Sequence, residues 1–182
     1  MSTLAVNKAT DVVGTSFYEL MRLETAKSAT GTSVEFTSIP SWVKRITFML
    51  NGVSTNSTSP MQIQLGDSGG YETSGYNGSN HVFVGGIASV TLASAFLLTL
   101  NTSYQSAAGL YSGSCILTLI DASTNTWSMF GSISGHTSSI GYLTSGSKSL
   151  SATLDRIRIT MANGTDTFDL GSVSVLLEGH NA

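Results

Sequence analysis

Apolar residues in this chain recur at every second position, in short runs broken by glycine, serine, asparagine and aspartate. Successive side chains of a strand point to opposite faces, so this period admits strands and leaves little room for helix. Ile46, Phe48 and Leu50 alternate with Arg45, Thr47 and Met49, and Asn51-Gly52 then supplies a turn pair. Met61, Ile63 and Leu65 alternate with Gln62 and Gln64, which predicts a strand with one wet face. Ile116, Thr118 and Ile120 interleave with Cys115, Leu117 and Leu119, which predicts a strand covered on both faces. It ends in the polar turn Asp121-Ala122-Ser123-Thr124-Asn125, before a further run, Thr126-Trp127-Ser128-Met129-Phe130.

The last third of the chain is patterned most clearly. Leu150, Ala152 and Leu154 share one parity, whereas Ile157, Ile159 and Met161 share the other. A one-residue shift turns a strand inside out, so a bulge or corner is expected between the two sets. Asn163-Gly164 marks a tight turn, and parity switches again at Gly171, before Val173, Val175 and Leu177. These signals predict a closing hairpin, roughly Leu154–Met161 with Thr167–Leu177. Phe17 to Glu24 fits helical and strand spacing alike and reads as a strand or an irregular arm. Pro40 and Pro60 each stand just ahead of a strand, where a missing N–H does no harm. No fixed-period repeat argues for a solenoid or propeller. Many short strands with turn residues between them predict an all-β protein, a β-sandwich of the jelly-roll kind. Residues 1–29 form a short N-terminal arm, and residues 30–182 a single sandwich domain.

Charge narrows the classes of function. Only 10% of the 182 residues are charged, and serine plus threonine outnumber them by more than two to one. No Lys or Arg occurs between Arg45 and Lys148, and the net charge is -3. Nucleic-acid binding rests on neutralising phosphates, so DNA and RNA are not expected partners. Cys115 is the only cysteine. It rules out an intrachain disulfide and a multi-cysteine metal site, and its apolar run predicts a buried thiol. The N-terminus carries no basic flank followed by an apolar core, so no secretory signal is read there. Val82 to Leu100 is uncharged and approaches the length of a membrane span, but glycines, serines and threonines interrupt it and no basic residue flanks it. Two buried strands joined by a turn are expected instead, with no membrane span.

The loop Gly66–Gly78 holds the candidate ligand-binding residues. Asp67 and Glu72 offer carboxylates, and Tyr71 and Tyr76 offer ring faces, the ingredients of a sugar site. The same residues also read as a glycine-rich hairpin whose tyrosines pack at a subunit contact. As a glycosidase pair, Asp67 and Glu72 would have to flank one bond at about 5–10 Å, which their spacing does not ensure. His81, His136 and His180 have no zinc-binding spacing, and no G-x-S-x-G elbow or P-loop is present. No catalytic residue, cofactor or metal is therefore expected.

Three stretches carry a resemblance: Thr32–Pro40 with Lys44–Asn56; Gln64–Tyr76, including Gly66-Asp67-Ser68-Gly69-Gly70-Tyr71; and Leu154–Thr160 with Gly164–Val173. In order and spacing they resemble a module found at the distal ends of tail fibres, and in small virion proteins, of tailed bacteriophages. The resemblance covers about Thr25 to Glu178 and names no reaction. It implies a homotrimeric β-rich virion component assembled in the host bacterial cytoplasm, in a tail fibre or host-attachment structure. A capsid decoration (cement) protein is the alternative it leaves open, and a glycan-binding or glycan-cleaving jelly-roll protein is a further one. The expected partners are copies of the chain itself, other virion proteins, and a host surface glycan. The N-terminal arm, with Phe17, Leu20, Met21 and Leu23, is expected to anchor the module to another virion protein.

Overall fold

A computed structural model describes residues 4–10, 16–83, 87–100, 104–136 and 140–181, with side chains from Leu20 to Gly179 outside the gaps and Ile87. Among the described residues the chain forms fifteen strands and no helix. They are β1 (Leu4–Thr10), β2 (Ser16–Leu23), β3 (Lys27–Ser28), β4 (Ser33–Thr37), β5 (Val43–Thr55), β6 (Met61–Asp67), β7 (Gly70–Tyr71) and β8 (Tyr76–Phe83). Then follow β9 (Ile87–Thr91), β10 (Phe96–Leu97), β11 (Tyr111–Asp121), β12 (Thr126–Gly135), β13 (Ile140–Ser149), β14 (Arg156–Met161) and β15 (Phe168–Asn181). The larger sheet runs β1-β2-β15-β5-β11-β12-β13-β8-β9, with β3 also on β15; the smaller runs β10-β6-β14-β4, with β7 on β6. Every pairing is antiparallel.

The two sheets pack face to face as a β-sandwich, and the alternation read from the sequence decides what lies between them. Ile46 and Phe48 of β5, Leu117 of β11 and Val173, Val175 and Leu177 of β15 point inward from the larger sheet. Met61, Ile63 and Leu65 of β6 and Ile157 and Ile159 of β14 meet them from the smaller one. Each such side chain removed from water contributes about 1.5–3 kcal/mol. The Phe36 ring of β4 stands edge-on to Phe48, centroids 6.1 Å apart, and Tyr76 of β8 stands edge-on to Phe96 of β10 at 4.9 Å. Both pairs bridge the sheets in the geometry aromatic quadrupoles favour. Cys115 is buried as expected, and burial pushes its thiol pKa up to about 12.

Several expectations need correction. β14 and β15 do not form a closing hairpin: β14 pairs with β4 and β6, whereas β15 pairs with β5 and β2. Asn163-Gly164 is a real turn, its Asn163 Oδ1 accepting the Thr165 and Asp166 N–H groups at 3.1 Å, but it carries the chain from one sheet to the other. Asn51-Gly52 is a bulge inside β5, not a turn. Three steps along β5, from Leu50 to Val53, face two along β11, from Gly113 to Tyr111. The same excess appears against β15, where Asn51 to Ser54 faces Ser172 to Leu170. Gly52 absorbs the extra residue at φ 59°, the left-handed region that glycine enters freely. Gly171, where a bulge is expected, takes φ 90° opposite the β5 bulge, but the extra residue of β15 is Asp169: Phe168 and Leu170 face the adjacent Thr55 and Ser54.

Gln62 and Gln64 are buried, not wet: Gln64 lies against Arg158, over which the Tyr71 ring stacks, and Gln62 is flanked by Leu97 of β10 and Thr160 of β14. Arg158 Nε and Nη2 donate to Gln64 Oε1 at 3.0 and 2.8 Å. β11 is covered on one face only, leaving Thr118 and Ile120 exposed. Leu150 to Leu154 is not strand: β13 ends at Ser149, and the parity shift occurs in the irregular stretch before β14. Val82 to Leu100 is not two buried strands: its described residues fall in the end of β8, the largely exposed edge strand β9 and the short β10 on the other sheet; Val84-Gly85-Gly86 lies outside the described residues. No described helix is long and apolar enough to cross a membrane. Residues 16–23, read as a strand or an irregular arm, form a strand: β1 and β2 are a hairpin, and β2 extends the larger sheet by pairing with β15. The Phe17 side chain lies outside what is described.

Candidate functional site

The candidate residues occupy the junction of β6, β7 and β8 with the segment that follows β13. β6 turns tightly at Ser68-Gly69 into β7, pairing Asp67 with Gly70. Asp67 stabilises the turn by accepting the Gly69 N–H at Oδ1, 2.8 Å away. Its other oxygen accepts the Ser151 hydroxyl at 2.6 Å. Glu72 accepts the Ser151 N–H at Oε1, 2.7 Å away, and pairs through Oε2 with the Lys148 ammonium. Lys148 also donates to the Ser149 carbonyl at 2.6 Å and lies 5.6 Å from the centre of the Tyr76 ring. Its side chain is only 5% exposed. The four side chains Asp67, Ser151, Glu72 and Lys148 thus form a polar clamp, holding the β6–β7 turn against the connection from β13 to β14.

Of the four residues singled out in the sequence, Asp67 and Glu72 come together and share Ser151. Tyr76 is not presented to solvent: at 2% exposure it belongs to the core. Its hydroxyl accepts the Leu65 N–H at 2.8 Å and donates to the Glu72 carbonyl at 3.1 Å, and burial raises its pKa. Tyr71 faces the other way, over the smaller sheet, its ring centroid 4.1 Å from the Arg158 guanidinium and 6.0 Å from that of Arg156. Burial, reinforced by the nearby Glu35 carboxylate, raises the Tyr71 pKa. The two rings therefore do not form one platform for a sugar.

The site members absent from the sequence-based set are Lys148 and Ser151. Parity held the signal for Lys148. It lies in step with the inward residues Tyr142 and Thr144 of β13, and a lysine at a core-facing position requires a buried partner. Ser151, outside any strand, carried no such signal.

The electrostatics describe a closed site. The Ser151 hydroxyl, then the Gly69 N–H, hold Asp67 below the ordinary carboxylate range. Burial alone would raise Glu72, but the bonds from Lys148 and Ser151 outweigh it and the net shift is downward. Both acids are then ionised at neutral pH, and neither holds a proton to give a leaving group. Because both folded-state values are depressed, their contribution to stability is complete above the unfolded-state values and is lost as pH falls through the folded ones. The wild-type urea midpoint should accordingly hold steady down to about pH 5 and fall steeply towards about pH 3. A D67N/E72Q variant should be less stable at pH 7 and show a flatter profile; equal slopes would mean the two carboxyls do not drive acid unfolding.

Elsewhere, His81 on β8 meets Ser79 Oγ at 2.9 Å through Nε2, with no described acid bonded to the ring. His136 is exposed beyond the end of β12. The side chain of His180 lies outside what is described. Among the described residues no group of three or more His, Cys, Asp or Glu is placed to hold a metal ion. Fold and site together define an antiparallel β-sandwich with an internally bonded polar clamp. No protein-family profile, curated protein or solved structure matches the chain.

Proposed function

We propose that this chain is a non-catalytic structural module of a tailed-bacteriophage virion, assembling as a homotrimer within a tail fibre or host-attachment structure. The observation that carries the non-catalytic reading is the clamp. The acids best placed for chemistry are both ionised and bonded to Ser151, Gly69 and Lys148, so their work is to hold two loops together. The virion assignment is supported by the sequence resemblance and by the sandwich on which the resembling stretches fall.

Strand order supports a jelly roll as the finer description. Count β4, β5, β6, β8, β9, β10, the β11–β13 meander and β14 as eight successive units. The smaller sheet then holds the first, eighth, third and sixth, and the larger the second, seventh, fourth and fifth, side by side in those orders. β15 and the β1–β2 hairpin extend the larger sheet beyond β5. The hairpin's pairing within its own chain favours a self-contained fibre module over a decoration protein whose arm is lent to a neighbour. Imaging labelled protein on intact particles by electron microscopy tests the assignment. Density at a fibre or baseplate is expected, density over the capsid surface would select the decoration reading, and absence from particles would end both. Cleavage assays on host polysaccharide test the non-catalytic reading: wild type and D67N/E72Q should both be inactive, and activity lost in the variant would reverse it.

A further inference from the structure

Strand register places one continuous row across the outer face of the larger sheet. Leu23 of β2 faces Leu176 of β15, which faces Thr47 of β5; Thr47 faces Ile116 of β11, and Ile116 faces Phe130 of β12. Phe130 faces Ser145 of β13, which faces Ser79 of β8. Leu23 and Phe130 are each 58% exposed, with Leu176 and Ile116 half-buried between them. Every large apolar side chain exposed among the described residues stands on a strand of the larger sheet, and none on the smaller. The outer side of the smaller sheet instead carries Arg156, Arg158 and Glu35 with Tyr71 over it.

We infer that the outer face of the larger sheet, centred on Phe130 and Ile116, is the surface through which copies of this chain pack on one another. The inference rests on the proposed self-assembly and locates it. Three properties select a second copy as the occupant. The first is area: eight strands from β2 to β9, about 4.8 Å apart, span about 34 Å, and three rows of outward residues extend about 20 Å, giving roughly 700 Å². That is close to the roughly 800 Å² each partner contributes to a stable interface. The second is charge: on these strands Arg45 and Glu178 face each other at the border, 3.7 Å apart, and the apolar row itself is uncharged. Copies of this face gathered about a threefold axis meet no like charge at its centre, whereas a charged partner finds nothing there to pair with. The third is hydrogen bonding: the polar side chains in this row are serine and threonine, whose hydroxyls both donate and accept, so they can pair with residues of a neighbouring copy in either role.

Light scattering of the full chain across roughly 0.1–100 μM, the weaker end of the μM-to-pM span of interfaces of this size, tests the inference with two kinds of variant. F130E, and F130S as the milder change to the residue type of neighbouring outward positions, should raise the concentration at which the assembly half-dissociates at least tenfold. T37E, on the exposed outer side of the smaller sheet, should leave it unchanged. Circular dichroism of each variant checks that the sandwich is intact, and F130S carries the test if F130E does not fold. An assembled wild type whose half-dissociation is unmoved by both Phe130 variants overturns this face while leaving self-assembly standing. Equal weakening by T37E also overturns it. A wild type monomeric throughout removes the assembly reading and the face with it.

Discussion

Lys148→Ala is expected to destabilise the folded chain by about 3 kcal/mol, because it leaves the Glu72 carboxylate in the clamp without its counter-ion. Breaking a buried pair from one side costs about 3–5 kcal/mol, and the lower end applies here because Glu72 retains some access to water. It also retains the Ser151 N–H, so it is weakened and not abandoned. For a chain of this length the loss corresponds to a fall in Tm of roughly 6–12 °C. Tyr76 adds to the effect, since its ring loses the ammonium that lies against it. The double variant Lys148→Met with Glu72→Leu should recover most of the stability, since apolar side chains of similar length remove the charge and the need for its partner together. Urea unfolding of the wild type, the single variant and the double variant separates these contributions. A single variant within about 0.5 kcal/mol of wild type, the range of ordinary surface substitutions, would mean that Lys148 is solvated and the clamp is not a structural element.

Alternation told which side chains go inward, and it did so well. Ile46 with Phe48, Met61 with Ile63 and Leu65, and Val173 with Val175 and Leu177 each share one parity in the sequence, and all of them lie in the core. Alternation does not tell which sheet a strand joins. Ile157 and Val173 are separated by a good turn signal, and nothing in their spacing distinguishes a hairpin from a crossing between layers. Asn-Gly is ambiguous for a related reason: the left-handed conformation that closes a hairpin also accommodates a bulge, and Asn51-Gly52 uses it for the second. The burial of Gln64 was illegible because its cover comes from Arg158 and Tyr71, which only the tertiary fold brings across the sheet. The same holds at the candidate site. Asp67 and Glu72 were visible as acids in a glycine-rich loop, but Ser151 and Lys148, which determine their state, lie far along the chain. A loop read alone resembles an open binding surface until the segment that closes it is known.

Gly171→Val is expected to cost about 4 kcal/mol, combining a backbone penalty of about 1–3 kcal/mol with overpacking of about 1–3 kcal/mol. Gly171 sits at φ 90°, a conformation β-branched residues avoid. A Cβ there would also strike the Gly52 carbonyl oxygen and lie 2.6 Å from Val53 Cα, so the obstacle is backbone that cannot rotate aside. β5 and β15 therefore approach this closely at the β5 bulge only because β15 places glycine opposite it. These strands hold Phe48 and Val175 inward and Leu176 outward, so parting them disturbs the core and the proposed contact face together. Gly52→Ala separates the two causes. Its φ is 59°, yet nothing lies within 4 Å of the added carbon, so only the conformational cost of about 1–2 kcal/mol remains. Gly171→Ala should fall between the two, since it introduces the collision without the branched side chain. Urea unfolding gives all three values on one scale, and the order Gly52→Ala, Gly171→Ala, Gly171→Val from mildest to most severe is the expected result. If Gly171→Val is no worse than Gly52→Ala, the strands yield at the crossing, and the close approach of β5 to β15 is not what holds the larger sheet in register.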